Sequence, residues 1–326
     1  MLTRTLGRSG IVVSAMGLGC WAIGGVWWDR QRGCSPAGWG QVDDDESIRA
    51  IQQAVDAGIT LFDTADNYGC GHSEHILGQA LAGRRDQVIL ATKFGYVCDQ
   101  AARYVIGSNA EPTYIRRALE ASLRRLNTDY IDLYQFHIYD YDLDQAMRVR
   151  ETLEELVQEG KIRWYGWSTN NLARARIFAQ GTHCTAIQHH LNVLEGNAAL
   201  LSLCDEFNLA SLSRGPLSMG LLTGKFSAKS RFVPDDMRRD WNFCDGEEAK
   251  LLAQLDKIRR VLTADGRTLA QAALGWLWAR NERTIPIPGF KTVAQVGENV
   301  KALELGPLSK EQLEWVEQLL DRAPKS

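Results

Sequence analysis

Asp63 and Tyr68 stand just beyond the short apolar run Leu61-Phe62, and the residues from Ala65 to Gly71 have the small and polar composition of a loop. The two therefore lie at the carboxyl end of a buried strand, the edge where parallel α/β proteins usually assemble their chemistry. Lys93 and His137 follow two later apolar runs in the same way. A phenol, a lysine, an aspartate and an imidazole together can move a proton to or from an oxygen. An unperturbed phenol, with a pKa of about 10, exchanges protons poorly at neutral pH. A nearby ammonium favours its phenolate, an aspartate holds that ammonium charged and oriented, and a histidine can hydrogen-bond a carbonyl oxygen. Such a set is a general acid for reducing an aldehyde or ketone and a base for the reverse oxidation. It needs a hydride donor, which none of the four residues can supply. Taken alone, Asp63 and Tyr68 read equally well as a pair that ties a turn together.

The elements that must position these residues recur as a beat. Expected strands are Ser14 to Gly19, Thr60 to Phe62, Gln87 to Thr92, Tyr130 to Gln135, Ile162 to Trp167, Ala186 to His189, Ala210 to Ser213 and Thr284 to Ile287. Between them helices are expected from Asp43 with Ile48, Ile51 and Val55 inward, from Ser73 to Leu81, and from Pro112 to Leu126. Further helices are expected over Leu143 to Glu159, Leu172 to Gln180, Ala198 to Glu206 and Thr268 to Ala279. Eight strands with helical crossovers predict an α/β fold, a closed (β/α)8 TIM barrel. A hairpin over Arg4 to Val13 precedes it, a capped helix runs from Thr292 to Leu303, and Leu308 to Leu320 forms an added C-terminal helix. No linker divides residues 1–326, so one barrel domain is expected. Cys20 to Val42, with Trp21, Trp27, Trp28 and Trp39, reads as an irregular loop that folds over something. The residues after the later strands are again polar: Ser168-Thr169-Asn170, Gln188, Ser213-Arg214, and Gly289 to Thr292.

The 326 residues are 45% hydrophobic and 24% charged, as in a soluble globular protein, and the net charge of −3 implies no attraction to nucleic acid or an anionic membrane. No stretch approaches the roughly 18 apolar residues of a membrane span, and the first ten residues lack a signal-peptide core, so a cytoplasmic location is expected. Seven scattered cysteines argue against a disulfide framework. Cys70, His72 and His75 are close in sequence, yet no second cluster follows at zinc-site spacing, and no metal is expected. Gly17-Leu18-Gly19 lacks the third glycine of a Rossmann fingerprint.

The ordered motifs resemble the aldo-keto reductases over nearly the whole chain. They are Leu6-Gly7-Arg8-Ser9-Gly10, Phe62-Asp63-Thr64-Ala65 with Tyr68-Gly69, Ala91-Thr92-Lys93, Tyr130 to His137, Gly160-Lys161-Ile162-Arg163, Gly220 to Lys225, and Pro288-Gly289 with Glu298-Asn299. The resemblance implies a barrel that binds NADPH, with NADH as the other possibility, and Asp63, Tyr68, Lys93 and His137 as its catalytic tetrad. It implies that Ser168 and Gln188 hold the nicotinamide carboxamide, with Thr169 or Asn170 taking the amide contact. Ser213, Arg214, Pro216, Leu217, Gly220 and Lys225 would follow along the cofactor. At its adenosine end the resemblance puts Gly289 and Gln295, with Lys291 and Thr292 for a 2′-phosphate and Glu298 and Asn299 for the adenine. Arg214 stands where many relatives have an aromatic residue, and Gln295 where many have arginine. The partner implied is a small-molecule carbonyl substrate; monomer or homo-oligomer is left open. Pocket walls would come from loop aromatics, among them Trp21, Trp28, Tyr96 and Trp241 with Trp27, Trp39 and Phe243, and would suit a bulky or ring-bearing substrate. The same aromatics could instead pack the loops on the barrel. A redox-sensing cofactor-binding subunit with little turnover is the alternative function.

Overall fold

The computed structural model describes residues 1–30, 33–196 and 198–322. A hairpin of β1 (Thr3–Thr5) and β2 (Val12–Ser14) opens the chain and is followed by β3 (Leu18–Gly19), shorter than the expected first strand because Ser14 ends the hairpin. Then come β4 (Trp27–Asp29), β5 (Ser35–Ala37), α1 (Asp44–Asp56), β6 (Leu61–Asp63), α2 (His72–Ala80) and β7 (Ile89–Phe94). Next are β8 (Tyr96–Asp99), β9 (Tyr104–Ser108), α3 (Pro112–Leu126), β10 (Ile131–Phe136), α4 (Leu143–Gln158), β11 (Ile162–Ser168) and α5 (Leu172–Ala179). The chain continues through β12 (Cys184–His190), α6 (Ala198–Glu206), β13 (Ala210–Arg214), α7 (Glu247–Leu262), α8 (Leu269–Arg280), β14 (Thr284–Pro286), α9 (Val293–Leu305) and α10 (Lys310–Leu319).

Eight parallel strands run in the order β14-β13-β12-β11-β10-β7-β6-β3. The ends meet: Gly17 N–H donates to the Pro286 carbonyl and Gly19 N–H to that of Pro288, both at 3.0 Å, so the sheet closes into the expected barrel. Period-two alternation sorts each strand. Phe62, Leu90, Tyr134, Phe136, Tyr165 and Trp167 point outward into a core shared with the helices. Leu61, Ala91, Leu133, Ala186 and Leu212 fill the interior with Leu6 and Val13 of the hairpin. Each buried leucine of this set contributes about 1.5–3 kcal/mol. The inward phase then carries on to Asp63, Lys93, Gln135, Ser168, Gln188 and Arg214 at the carboxyl ends. Only glycine fits at position 166, since a Cβ there would lie 2.4 Å from the Ala186 carbonyl oxygen.

Besides the shortened β3, three elements differ from expectation. The segment from Cys20 to Val42 is not irregular: β4 and β5 join β8 and β9 in a four-stranded sheet, order β5-β4-β9-β8, over the barrel mouth. Gln31 and Arg32 of that segment lie outside the described residues. Helix α2 starts at His72 behind Gly71, not at Ser73, whose hydroxyl is spent on the Cys20 carbonyl at 2.6 Å and sits 2.9 Å from the Thr64 hydroxyl. Helix α7, not anticipated, buries Leu255, Ile258 and Leu262 at helical spacing. Among the described residues no helix is long and apolar enough to cross a membrane.

Candidate active site

Lys93 is the centre of the cluster. Its fully buried ammonium donates to Asp63 Oδ1 at 2.5 Å, to the Thr64 carbonyl at 2.8 Å and to the Tyr68 hydroxyl at 2.9 Å. The other carboxylate oxygen of Asp63 accepts from Gln135 Nε2 and Gln188 Nε2, each at 2.8 Å. Gln188 also donates to Gln135 Oε1 at 3.1 Å, and Ser168 to Gln188 Oε1 at 3.4 Å. A buried ion pair is costly to desolvate, and the two amides supply the hydrogen bonds that make it tenable. Gln135 has no role of its own in the sequence motif Tyr130 to His137, although it stands on β10 two residues before His137 and so shares its inward phase.

Tyr68 enters the site on a one-turn helical segment, Tyr68–Gly71, whose Gly69, Cys70 and Gly71 all have positive φ. The turn is tight: a Cβ on Gly69 would lie 2.0 Å from the Gly24 carbonyl oxygen. The ring of Tyr68 meets that of His137 edge-on at 5.9 Å, and Tyr96 meets His137 edge-on at 5.3 Å. Burial pushes the Tyr68 phenol above its ordinary range; Lys93 pulls it back, and Asp63 opposes that pull. For Lys93 burial works downward, but Asp63 and then Tyr68 outweigh it and hold the ammonium above its usual value. At neutral pH the pair is a phenol beside a cation, the protonation state of an acid ready to donate.

Aromatic rings wall this centre. Trp21 lies 6.4 Å and Trp27 6.0 Å from the Tyr68 ring, and Trp21 contacts Trp39 at 4.6 Å. Alternation along β4 sends Trp28 the other way, where it stacks on Tyr104 at 5.7 Å. Trp241 sits farther along the rim with Phe226, Phe232 and Phe243. Arg238, over the rings of Trp39 and Phe232, joins that cluster to the entry sheet. Of the rings expected to line a pocket, Trp21, Trp27 and Tyr96 surround the tetrad, while Trp28 and Trp241 pack elsewhere.

The remaining polar residues ring the mouth from β11 to α9. Asn170 Oδ1 accepts from the His190 backbone at 2.8 Å and from Arg214 at 3.3 Å, while the Thr169 hydroxyl takes the Asn171 N–H at 3.1 Å. Ser213 is fully buried and turned to the Leu191 carbonyl. Pro216 is buried, Leu217 and Gly220 are half-buried, and Lys225 is exposed. Lys291, half-buried, donates to the carbonyls of Trp39 at 2.9 Å and Gln41 at 2.7 Å, and burial lowers its pKa. Gly289 bridges to Gly19 at the barrel seam. Thr292 caps α9 through the Gln295 N–H, and Gln295 Oε1 takes the Lys291 N–H. Asn299 is buried; the Glu298 carbonyl accepts from Gln271. Glu46 of α1 occupies the Val293 N–H at 2.8 Å, a contact no local sequence signal announces. The cations, hydroxyls and amides suit an anionic dinucleotide such as NADPH, while Glu46 at the α9 terminus, and Asp235 and Asp236 near Lys291, carry opposing charge. Among the described residues no group of three or more His, Cys, Asp or Glu side chains could hold a metal ion; His72 meets Asp44 at 2.9 Å and His75 meets Gln79 at 2.9 Å.

The profile of the aldo/keto reductase family matches residues 15–321. The aldo-keto reductase YhdN of Bacillus subtilis is 35% identical over 302 residues, 90% of this chain and 86% of its own. The aldo-keto reductase yakc [NADP(+)] of Schizosaccharomyces pombe is 31% identical over 311 residues, 93% of this chain and 87% of its own. Among solved structures, the glycerol dehydrogenase of Gluconobacter oxydans superposes with a TM-score of 0.84 at 32% identity, covering 99% of this chain and 97% of that one. The chain belongs to the aldo/keto reductase family, a family of oxidoreductases.

Proposed function

We propose that the protein is an NADPH-dependent oxidoreductase that reduces an aldehyde or ketone to its alcohol, with Tyr68 as the proton donor. The observation that carries this reading is the Lys93 ammonium, buried and shared between Asp63 Oδ1 and the Tyr68 hydroxyl. When bound, the nicotinamide supplies the hydride that no side chain here can provide. Tyr68 protonates the substrate oxygen; Lys93 stabilises the phenolate left behind, and Asp63 keeps Lys93 charged. His137, edge-on to Tyr68, orients the carbonyl oxygen.

Ser168, Gln188, Asn170 and Arg214 are the groups that would hold the nicotinamide half, and Lys291, Thr292 and Asn299 the adenosine half. The NADP(+) in the name of the fission-yeast relative supports the choice of NADPH. Trp21, Trp27 and Tyr96 exclude water from the reacting oxygen and favour a substrate with a bulky or cyclic apolar part.

The test is a Tyr68→Phe variant, which keeps the ring and loses the proton. With a panel of aldehydes and ketones, NADPH consumption should fall by about 10²–10⁴-fold while NADPH binding is retained. An undiminished rate would refute the role of Tyr68.

A further inference from the structure

Two thiols flank the catalytic turn, and the chemistry proposed above uses neither. Cys70 lies two residues after Tyr68, on the segment with positive φ, and Cys98 lies two residues after Tyr96 on β8. Both belong to one cluster with Trp27, Val105, Tyr68 and Tyr96, and β8 pairs Cys98 with Val105 of that cluster. The two thiols are electrostatically unlike: Cys98, and then Arg103, hold the Cys70 thiol below its ordinary pKa against burial, while Cys70 and burial raise that of Cys98. Cys70 is thus the thiol that ionises more readily, the relation of a nucleophile to a resolving thiol.

Cys70, itself buried, borders a hollow of about 260 Å³, together with Arg103, Arg125, His72 and Gln100. That rim is cationic, the setting in which cysteine reacts with peroxide. Of the other cysteines, Cys20, Cys184 and Cys204 are also buried, while Cys34 and Cys244 are exposed, the Cys244 thiol donating to the Ala228 carbonyl at 3.7 Å.

We propose that Cys70 and Cys98 form a redox pair that a hydroperoxide oxidises to a disulfide, pinning the turn that carries Tyr68 to strand β8. The Cys70 sulfur attacks the peroxide, the O–O bond breaks, and Cys70 becomes a sulfenic acid as water or an alcohol leaves. The Cys98 sulfur then attacks the sulfenic sulfur, the S–O bond breaks, water leaves, and the S–S bond forms. Two thiols are oxidised and one peroxide is reduced. A disulfide needs about 2.0 Å between sulfurs, closer than two free thiols in contact, so the turn must shift. Displacement of a reacting group by about 1 Å can cost roughly a hundredfold in rate.

The full-length protein is treated with hydrogen peroxide and then alkylated, digested and mapped by mass spectrometry. The expected result is a Cys70–Cys98 linked peptide, formed ahead of oxidation at Cys34 or Cys244 and lost on treatment with dithiothreitol. In Cys98→Ser the reaction should stop at a Cys70 sulfenic acid that dimedone traps. Carbonyl reduction should fall by about a hundredfold on oxidation of the wild type and return with dithiothreitol. The peptide map reads the disulfide whether or not carbonyl reduction is the activity, so failure of the two readings is distinguishable. Separate, still-reduced Cys70 and Cys98 after Cys34 and Cys244 have oxidised would overturn the pair. So would an equal, reversible loss of activity in a Cys70→Ser, Cys98→Ser double variant.

Discussion

On one side of the barrel mouth Asp63, Lys93 and Gln135 project from β6, β7 and β10, and their charged and amide groups bind one another directly. On the other side the polar groups of β11 to α9 are bound mainly to backbone and to neighbouring loops: Lys291 to Trp39 and Gln41, Glu46 to Val293, Asn170 to His190. The first arrangement is buried and needs nothing further to be complete. The second must exchange some of its present partners when a ligand binds, because the cation and the helix terminus that suit a phosphate are engaged by the protein itself. Strand ends therefore serve the reaction that needs fixed distances, and loops serve the step that needs exchange.

Substitutions should separate the two sides. Lys93→Met removes the buried cation, leaves Asp63 uncompensated and should lower kcat by about 10²–10⁴-fold, measured as the rate of NADPH oxidation at saturating cofactor. A loss confined to KM would mean that the tetrad side also serves binding. The pH profile is the next test. Tyr68 is held above its ordinary pKa, so reduction should stay level across neutral pH and decline only above about 10, while oxidation of the alcohol should rise over the same alkaline range. A decline in reduction centred near neutrality would contradict the phenol as the acid. Trp27→Ala should change the ratio of kcat/KM between bulky and small carbonyls by about tenfold, whereas Trp28→Ala, on the far face of β4, should leave it unchanged. Equal effects would mean that the entry sheet acts as a whole. The smallest effect belongs to the loop side. Glu46→Gln keeps an acceptor for Val293 but removes the charge, and should tighten NADPH relative to NADH by about two- to fivefold in a fluorescence titration. No change would place the 2′-phosphate away from the α9 terminus.

What the sequence made legible follows the same division. Runs such as Ile131 to Phe136, buried throughout, marked the barrel strands, and the polar residue after each run marked the mouth. Asp63, Lys93 and His137 could be found because each is fixed by its own strand. The four-stranded sheet over the mouth could not, since its strands are short and β4 depends on pairing with β9, where Trp28 meets Tyr104. Trp27 and Trp28 are equivalent in composition, and only that pairing decides which of them faces Tyr68. The contact of Glu46 with Val293 joins residues 247 positions apart, beyond any periodicity or capping signal.

The amino-terminal hairpin has a consequence for the order of assembly. The Arg8 guanidinium donates to the carbonyls of Ala179, Gly181 and Phe207, which follow it by 171, 173 and 199 positions. Strand β3 likewise finds its second neighbour at Pro286 and Pro288. During synthesis the hairpin leaves the ribosome before these partners and must therefore wait, unseated, until the chain has grown past Phe207. The floor of the barrel is begun first and finished last, and a chain released early would lack the carbonyls that receive Arg8.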